Sequence, residues 1–453
     1  MRITALLALT VACTTEETTP TEVTEPAPDP VTCDTIEGAC QEFGPDQVAE
    51  LQSAVNELED GATIVLLEGT FVFDNALTLR GNGLSLIGQG KDVSILDFSG
   101  VEAQTNGVDA ISNDILLEGF TVADAQKDGI RIEDSDGVTI RSVKVTWAEE
   151  GASTNGAYGI YPVRVRNVLM EDSEAYNASD AGIYVGQCQN AIVRNNIVKG
   201  NVAGLEIENT QFADVYGNLA EDNTGGLVVF DLPGNPIVGR DVRIHDNEVI
   251  NNNRENFAPG GTVAIIPAGT GSFAMASRRV EFDNNTYRNN QSVDIAIVSG
   301  LVVDGDPEKW HIETDAVVGD NSGLELMSDD SGVFNFRTEQ IWIHDNTHEG
   351  SGLDIDDASQ TRELGFLLGI VYNGEPVDEI LYDSIGESAF DPEDPSLNSN
   401  DNQICVGVSD NMTFASMDLE NLQSVPALAN MFRPSPPFTP FDCEGVRPIA
   451  PEF

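Results

Sequence analysis

Residues 182–208, GIYVGQCQNAIVRNNIVKGNVAGLEIE, decide the fold because this stretch begins and ends on the same pattern. Gly182 is followed by IYV, and Gly204, 22 residues later, is followed by LEI. Apolar residues alternate with other residues after each glycine, and a period of two is typical of a strand with one buried face. The stretch is therefore one repeat unit built on β-strands.

The glycine-aliphatic pair recurs through the middle of the chain at intervals of 22, 30, 23, 22 and 22 residues, the interval of 30 being one period with an inserted loop. The pairs are Gly107-Val108, Gly129-Ile130, Gly159-Ile160, Gly182-Ile183, Gly204-Leu205 and Gly226-Leu227. A second, out-of-phase series consists of the asparagine pairs Asn196/Asn201, Asn218/Asn223, Asn247/Asn252 and Asn285/Asn290. Asparagine tolerates left-handed backbone and bonds neighbouring backbone, so these residues predict turns and stacked amide ladders.

A period near 22 residues predicts an all-β fold, a right-handed parallel β-helix with three short strands per coil. Both ends of such a solenoid need caps. Residues 45–61 predict an N-terminal capping helix, with Val48, Leu51 and Val55 on one face. Residues 300–340 interrupt the period, and the pattern fails from about 372. We expect the β-helix over 44–371 and a C-terminal segment over 372–453.

The N-terminus predicts export. Residues 1–13 carry Arg2, a short apolar run and small residues before Cys13, which is typical of a secretory signal. We expect lipidation at Cys13, the alternative being an ordinary cleaved signal with an incidental cysteine. Residues 14–43 begin with a run rich in Thr, Glu and Pro that predicts a solvated tether. The expected location is the outer membrane or cell surface, otherwise the periplasm or the medium.

The other cysteines agree with an oxidising compartment. Cys33 and Cys40 lie close together, and Cys405 and Cys443 bracket the C-terminal segment, so we predict a disulfide in each pair. Cys188 is left over inside the repeats and is predicted to be a buried thiol.

Charge excludes two partners. The chain has 22 Lys and Arg against 76 Asp and Glu, a net charge of −54. Such a surface repels nucleic-acid phosphates and anionic bilayers, so we expect membrane contact only through a lipid anchor.

The motifs resemble a known superfamily. The predicted helix, ATIVLLEGTFVF (62–73), LSLIGQG (84–90) and the repeats resemble the pectate-lyase-like β-helix superfamily, especially its NosD-type repeats, over roughly residues 45–360. The ending ICVGVSDNMTFASMDLENL (404–422), followed by FDC, resembles an exported, uncharacterised family of tandem β-helix repeat proteins. The resemblance implies the fold but not the activity, because this fold hosts lyases, hydrolases, epimerases and non-catalytic binders.

Outward positions of the repeats carry the candidate site. Two residues after each glycine stand Asp109, Arg131, Tyr161, Tyr184, Glu206 and Val228, which we expect in one row along the coils. Aromatic faces and carboxylates in a row suit a sugar chain. Exposed strand faces are polar in any case, so the row is also compatible with an ordinary surface.

Three functions remain open. The first is non-catalytic binding of polysaccharide or envelope glycan by a monomer. The second is a lyase, C5-epimerase or glycosidase acting on acidic polysaccharide, with Arg131, Tyr161 or Tyr184 as base, or Glu206 and Glu208 as a carboxylate pair. The third is a NosD-like accessory factor that contacts a protein partner. No cofactor is evident; Ca²⁺ is compatible with the acidity. His245 and His344 share a repeat position, which favours a role in the coil turns.

Overall fold

In the computed structural model, the chain winds into coils of three strands each. The structure describes residues 30–235, 237–313, 316, 332–353, 355, 358–409, 412–419 and 431–453, the side chains of 358–363 excepted. The predicted signal, Cys13 and the tether up to residue 29 lie outside the described residues. Residues Val31–Phe453 form one compact unit.

One coil illustrates the path. Strand Ile130–Glu133 is followed by Asp136–Arg141 and Lys144–Thr146, and the next coil returns at Ile160–Val163. Ile130 pairs with Ile160 in parallel register, as do the equivalent residues of successive coils. The predicted right-handed parallel β-helix is confirmed.

The strands form three long sheets, which we call A, B and C. Within the described residues, sheet A has twelve strands and sheet B has ten. Sheet A comprises Cys40–Phe43, Thr63–Leu66, Ser85–Ile87, Ile115–Glu118, Asp136–Arg141, Arg166–Glu171, Gln189–Arg194, Gln211–Tyr216, Arg240–His245, Arg278–Asp283, Glu339–His344 and Cys405–Val406. Sheet B comprises Gly69–Val72, Ser94–Asp97, Thr121–Ala123, Lys144–Thr146, Glu174–Tyr176, Ile197–Lys199, Leu219–Glu221, Glu248–Ile250, Thr286–Arg288 and Thr347–Glu349.

Sheet C carries the outward row predicted from the glycine-aliphatic pairs. Its twelve described strands are Leu77–Arg80, Val108–Ile111, Ile130–Glu133, Ile160–Val163, Ala181–Gly186, Ala203–Glu208, Gly225–Phe230, Thr270–Met275, Val293–Val298, Ile380–Tyr382, Phe414–Met417 and Met431–Phe432. All pair in parallel except the last two, which are antiparallel. Strands from residues 380–417 thus continue sheets A and C beyond residue 371.

Aliphatic columns fill the lumen. The residue after each repeat glycine is fully buried and lies above its counterpart in the next coil: Ile130, Ile160, Ile183, Leu205 and Leu227. Burying such a side chain contributes roughly 1.5–3 kcal/mol, so each coil is stabilised chiefly by stacking on its neighbours. Cys188 lies in the same core as a free thiol, as predicted.

Two asparagine ladders run beside the columns. In the first, each side-chain amide donates to the next carbonyl oxygen: Asn196 to Asn218 at 3.0 Å, then onward to Asn247, Asn285 and Asn346. The second ladder joins Asn201, Asn223, Asn252 and Asn290. The predicted stacking is correct, but the left-handed residue is the one before each ladder residue, such as Asn195, Asp246 and Asn284. The ladder amides instead hold the turn by accepting backbone N–H groups of the preceding coil.

The first helix and the two disulfides lie at the ends of the coil stack. Helix α1, Val48–Ala54, continues as a 3₁₀ turn, Val55–Glu57, and buries Leu51 and Val55. Helix α2 spans Ala358–Tyr372. Disulfides join Cys33 to Cys40 and Cys405 to Cys443, as predicted. The interruption near 300–340 is a lateral excursion in its described part, with the antiparallel pair His311–Glu313 and Gly332–Phe334.

Further 3₁₀ turns occur at Cys33–Thr35, Thr262–Ile265, Gly300–Val302, Pro307–Trp310 and Pro395–Leu397. Among the described helices, none has both the length and the apolar character needed to cross a bilayer.

Candidate functional site

The predicted outward row exists on sheet C. Arg131 pairs with Asp109 on one side and Tyr161 on the other. Tyr184 pairs with Glu206, and Glu206 with Val228. Neighbouring strands are about 4.8 Å apart, so these side chains follow one another along the coil axis.

The row is much less exposed than the sequence led us to expect. Tyr184 is 4% exposed and Glu206 is 1% exposed. The cause is a cover over the outer face of sheet C, in which Ala258, Val263 and Ile266 from the segment after Glu248–Ile250 join Trp310 of the lateral excursion. A period-two strand pattern cannot show such a cover, because it is supplied by distant loops.

Three tyrosines form the aromatic part of the site. The ring centroids of Tyr158 and Tyr161 are 4.5 Å apart, and each lies 4.8 Å from that of Tyr184. Tyr158 and Tyr161 are partly exposed at the rim, whereas Tyr184 lies at the buried floor. We call this group, with the carboxyl groups of Asp180, Glu206 and Glu208, the tyrosine crevice.

Two of these residues were missed by sequence reasoning. Tyr158 comes directly before Gly159, and Asp180 comes two residues before Gly182. Strand side chains alternate, so residues an even number of positions apart share a face, and Tyr158, three residues before Tyr161, does not have the parity of the outward row. No strand pattern points to Tyr158, which lies outside Ile160–Val163. Asp180 is four residues before Tyr184 and has its parity, but it precedes the strand Ala181–Gly186, where alternation no longer applies.

Burial raises the pKa of each carboxyl group in the crevice above its ordinary value. Burial raises the pKa of Glu208 to about 7 against hydrogen bonds from Tyr184 and Asn235. Its Oε1 accepts from Asn235 at 2.7 Å and its Oε2 from the Tyr184 hydroxyl. Burial, and then repulsion from Asp180 and Glu208, raises the pKa of Glu206. Burial also raises the pKa of Asp180, although its hydrogen bond with Tyr158 opposes the shift.

Two oxygens of this group have no protein partner. Glu206 Oε1 and Asp180 Oδ1 are both shielded from solvent and make no hydrogen bond. A buried polar atom without a partner costs roughly 1–3 kcal/mol, and such groups cluster at functional sites.

Cations stand at the rim but are already paired. The Arg131 guanidinium bonds Glu133 and lies 5.9 Å from the centroid of the Tyr161 ring. Arg164 bonds Asp134 at 2.7 Å and Glu133 at 3.1 Å. The tyrosines remain neutral donors, because burial raises the pKa of Tyr161 to about 12.

A possible metal cluster lies on sheet A. Ligand atoms of Glu281, Asp283 and His344 lie within 4.8 Å of one another. Arg243 bonds Asp283 at 2.7 Å and Arg447 bonds Glu281 at 3.2 Å. Two guanidiniums already neutralise these carboxylates, and Ca²⁺ prefers an all-oxygen shell, so this donor set does not fit Ca²⁺.

His245 and His344 occupy one column of sheet A, separated by Asp283. Each bonds the aspartate that follows it, Asp246 or Asp345, at 2.7 Å, and one acid of the preceding coil. Burial opposes protonation, but the neighbouring acids raise both pKa values overall. The histidines thus tie successive coils together.

Comparison with known proteins places the fold. The family model described as right-handed beta helix region matches residues 82–239 and 155–305. No curated protein matches the chain. The mannuronan C-5 epimerase A-module of Azotobacter vinelandii is 14% identical, with 76% of this chain and 91% of that one covered and a TM-score of 0.44.

Two further solved structures are similar. An alginate lyase from Paenibacillus sp. is 17% identical, covering 57% of this chain and 91% of its own, with a TM-score of 0.44. A pectate lyase is 15% identical, covering 58% and 68%, with a TM-score of 0.37. With its three long sheets of parallel strands and the family match over residues 82–305, the chain is a right-handed parallel β-helix protein.

Proposed function

We propose that the chain binds a polysaccharide or envelope glycan in the tyrosine crevice. The observation that carries this proposal is the packing of three tyrosine rings beside three carboxyl groups on the outer face of sheet C, with Tyr158 and Tyr161 partly exposed. Aromatic rings stack on sugar faces, and carboxyl groups bond sugar hydroxyls. Glu206 Oε1 and Asp180 Oδ1 support the same proposal, because a hydroxyl would satisfy both.

Binding to a glycan panel tests this proposal. We expect the full chain to bind at least one polysaccharide, and Tyr161→Ala to weaken that binding about tenfold, since a stacked ring contributes roughly 0.5–1.5 kcal/mol beyond its buried area. Tyr176→Ala is the matched control, because Tyr176 is also a half-buried outward tyrosine but lies on sheet B. Binding that falls equally in both variants, or no binding to any glycan, would contradict the proposal.

A second candidate is acid–base chemistry on the bound glycan, favoured by the raised pKa of Glu208. A carboxyl group that keeps its proton near neutral pH can act as a general acid. Glu206 and Glu208 are two residues apart on the same face of one strand, which puts their backbones about 7 Å apart. Inverting glycosidases use two carboxyl groups at roughly 6.5–9.5 Å.

An activity assay separates the two candidates. If the site is catalytic, incubation with the bound glycan releases reducing ends or unsaturated uronates. Glu208→Gln then abolishes the release while binding persists, and Glu221→Gln on sheet B leaves it unchanged. If the glycan is retained but stays intact, the binding proposal stands and the catalytic one fails.

We further propose export, with lipidation at Cys13. The two disulfides support export, because such bonds persist in oxidising compartments. Mass spectrometry of the mature N-terminus in the native host tests it: a diacylated or triacylated Cys13 is expected, and an unmodified Met1 would contradict it.

A further inference from the structure

An apolar cavity lies on the outer face of sheet C, beyond the tyrosine crevice. Its floor is made by strands of sheet C, and its roof by the segment from Thr262 to Pro267 and by helix α2. The floor includes Phe230, Phe273, Met275, Ala296, Val298 and Leu381. Leu364, Leu367 and Leu368 of α2 face it from above.

Two polar groups of the cavity, those of Asp383 and Thr270, already have partners within the protein. The Asp383 carboxyl accepts from the backbone of Ser299 at 2.5 Å and of Ile385 at 3.0 Å. Thr270 donates its hydroxyl to Pro267 at 2.8 Å. The walls therefore offer a ligand almost only carbon, and cavities of this kind take up apolar ligands in preference to water or sugar.

The cavity begins one coil beyond the carboxyl groups of the tyrosine crevice. Glu206 is followed in its row by Val228, and Glu208 by Phe230. The next coil adds Phe273 and Met275 to the same two rows. The outer face of sheet C thus changes from carboxyl and phenol to hydrocarbon within one coil, about 4.8 Å.

We propose that the cavity holds the alkyl or acyl chain of an amphiphilic glycan whose sugar lies in the tyrosine crevice. This inference rests on the proposed glycan binding and names the ligand class. The net charge of −54 favours a neutral amphiphile over a fatty-acid anion.

A series of alkyl glucosides tests the cavity directly. Methyl, hexyl, octyl and decyl β-glucoside are titrated into the full chain by calorimetry below their micelle concentrations. We expect affinity to rise up to about fourfold per methylene until the cavity is full, because each buried methylene contributes roughly 0.8 kcal/mol. Equal affinity for the methyl and decyl compounds would overturn the proposal.

A variant that fills the cavity tests whether the alkyl group of the ligand binds there. Ala296→Phe puts a ring into the cavity and should weaken decyl glucoside binding at least tenfold. Ala123→Phe is the control, an outward alanine on sheet B. Unchanged binding of decyl glucoside to Ala296→Phe would overturn the proposal. If that variant does not fold, the series of alkyl glucosides on the unaltered protein is the test.

A sugar-free amphiphile separates failure of this inference from failure of the proposed function. Decyl tetraethylene glycol has the same chain without the sugar. Polysaccharide binding without dependence on chain length overturns the cavity proposal and leaves glycan binding standing. If affinity depends on alkyl chain length but decyl tetraethylene glycol binds as tightly as decyl glucoside, the sugar contributes nothing. That result overturns the proposal of one ligand that occupies both the tyrosine crevice and the cavity.

Discussion

At the scale of the residue, the asparagine ladder shows what one side chain does in this fold. Asn218 donates to Asn247 and to the Val193 carbonyl, both at 3.0 Å. Its Oδ1 accepts both the backbone and the side-chain N–H of Asn196. It is 1% exposed, so no water replaces these bonds if the amide is lost.

Asn218→Ala should therefore lower the free energy of unfolding by about 3 kcal/mol, because orphaned buried groups are left on both adjacent coils. Asn75→Ala is the control, since Asn75 is exposed and bonds locally, and it should change stability by less than about 0.5 kcal/mol. Urea unfolding followed by circular dichroism measures both. Equal effects would mean that the ladder does not stabilise the coils.

The same residues show how far sequence reasoning reaches. Repetition at fixed spacing predicted the stacking of Asn196 on Asn218 and the row from Arg131 to Val228, because both follow from strand period alone. It did not predict that the residue before each ladder asparagine takes the left-handed conformation. That choice depends on how the turn closes between two sheets.

At the scale of the element, the two disulfides tie the ends of the coil stack with loops of different length. Cys33 and Cys40 are 7 residues apart, whereas Cys405 and Cys443 are 38 apart. Cys405 lies in the last described strand of sheet A. The tail beyond Cys443 returns across sheet A, where Arg447 lies 5.5 Å from the centroid of the Trp342 ring.

Loop entropy predicts unequal contributions. Replacing both cysteines by serine should cost about 4 kcal/mol for Cys405 and Cys443 and about 2 kcal/mol for Cys33 and Cys40, since the stabilisation grows with the length of the closed loop. Urea midpoints of the two double variants, compared with the parent, give the order. A larger loss for the Cys33–Cys40 variant would contradict the entropic account.

Elements also explain why the site was only partly predictable. The strand pattern located Tyr161, Tyr184, Glu206 and Glu208 on one face. Their burial comes from Ala258, Val263 and Trp310, which lie in segments outside the repeat and carry no period. Such insertions carry no repeat, so the repeat pattern gives the floor of the tyrosine crevice but not its cover.

At the scale of the whole molecule, buried acids couple stability to pH. Burial raises the pKa of Glu208 and of Asp383 to about 7, and that of Asp231 to about 6. Unfolded carboxyl groups titrate near pH 4, so between pH 4 and 7 the folded chain binds more protons than the unfolded one. Stability must therefore fall as pH rises through this window.

The raised pKa values of His245 and His344 act in the same direction, since their contribution is full below about pH 6.5 and is lost as pH rises through the folded values. We expect a lower urea midpoint at pH 8 than at pH 5.5, measured at constant ionic strength. A midpoint that stays level or rises would show that these groups do not keep their protons in the folded chain.

The central claim is that the outer face of sheet C binds a glycan at Tyr158, Tyr161 and Tyr184. The most direct test is a crystal structure of the full chain soaked with an oligosaccharide of the polysaccharide that it binds. We expect sugar rings stacked on Tyr161 and a sugar hydroxyl within hydrogen-bond distance of Asp180 or Glu206. Sugar found only on sheet A or sheet B, with the tyrosine crevice empty, would contradict it.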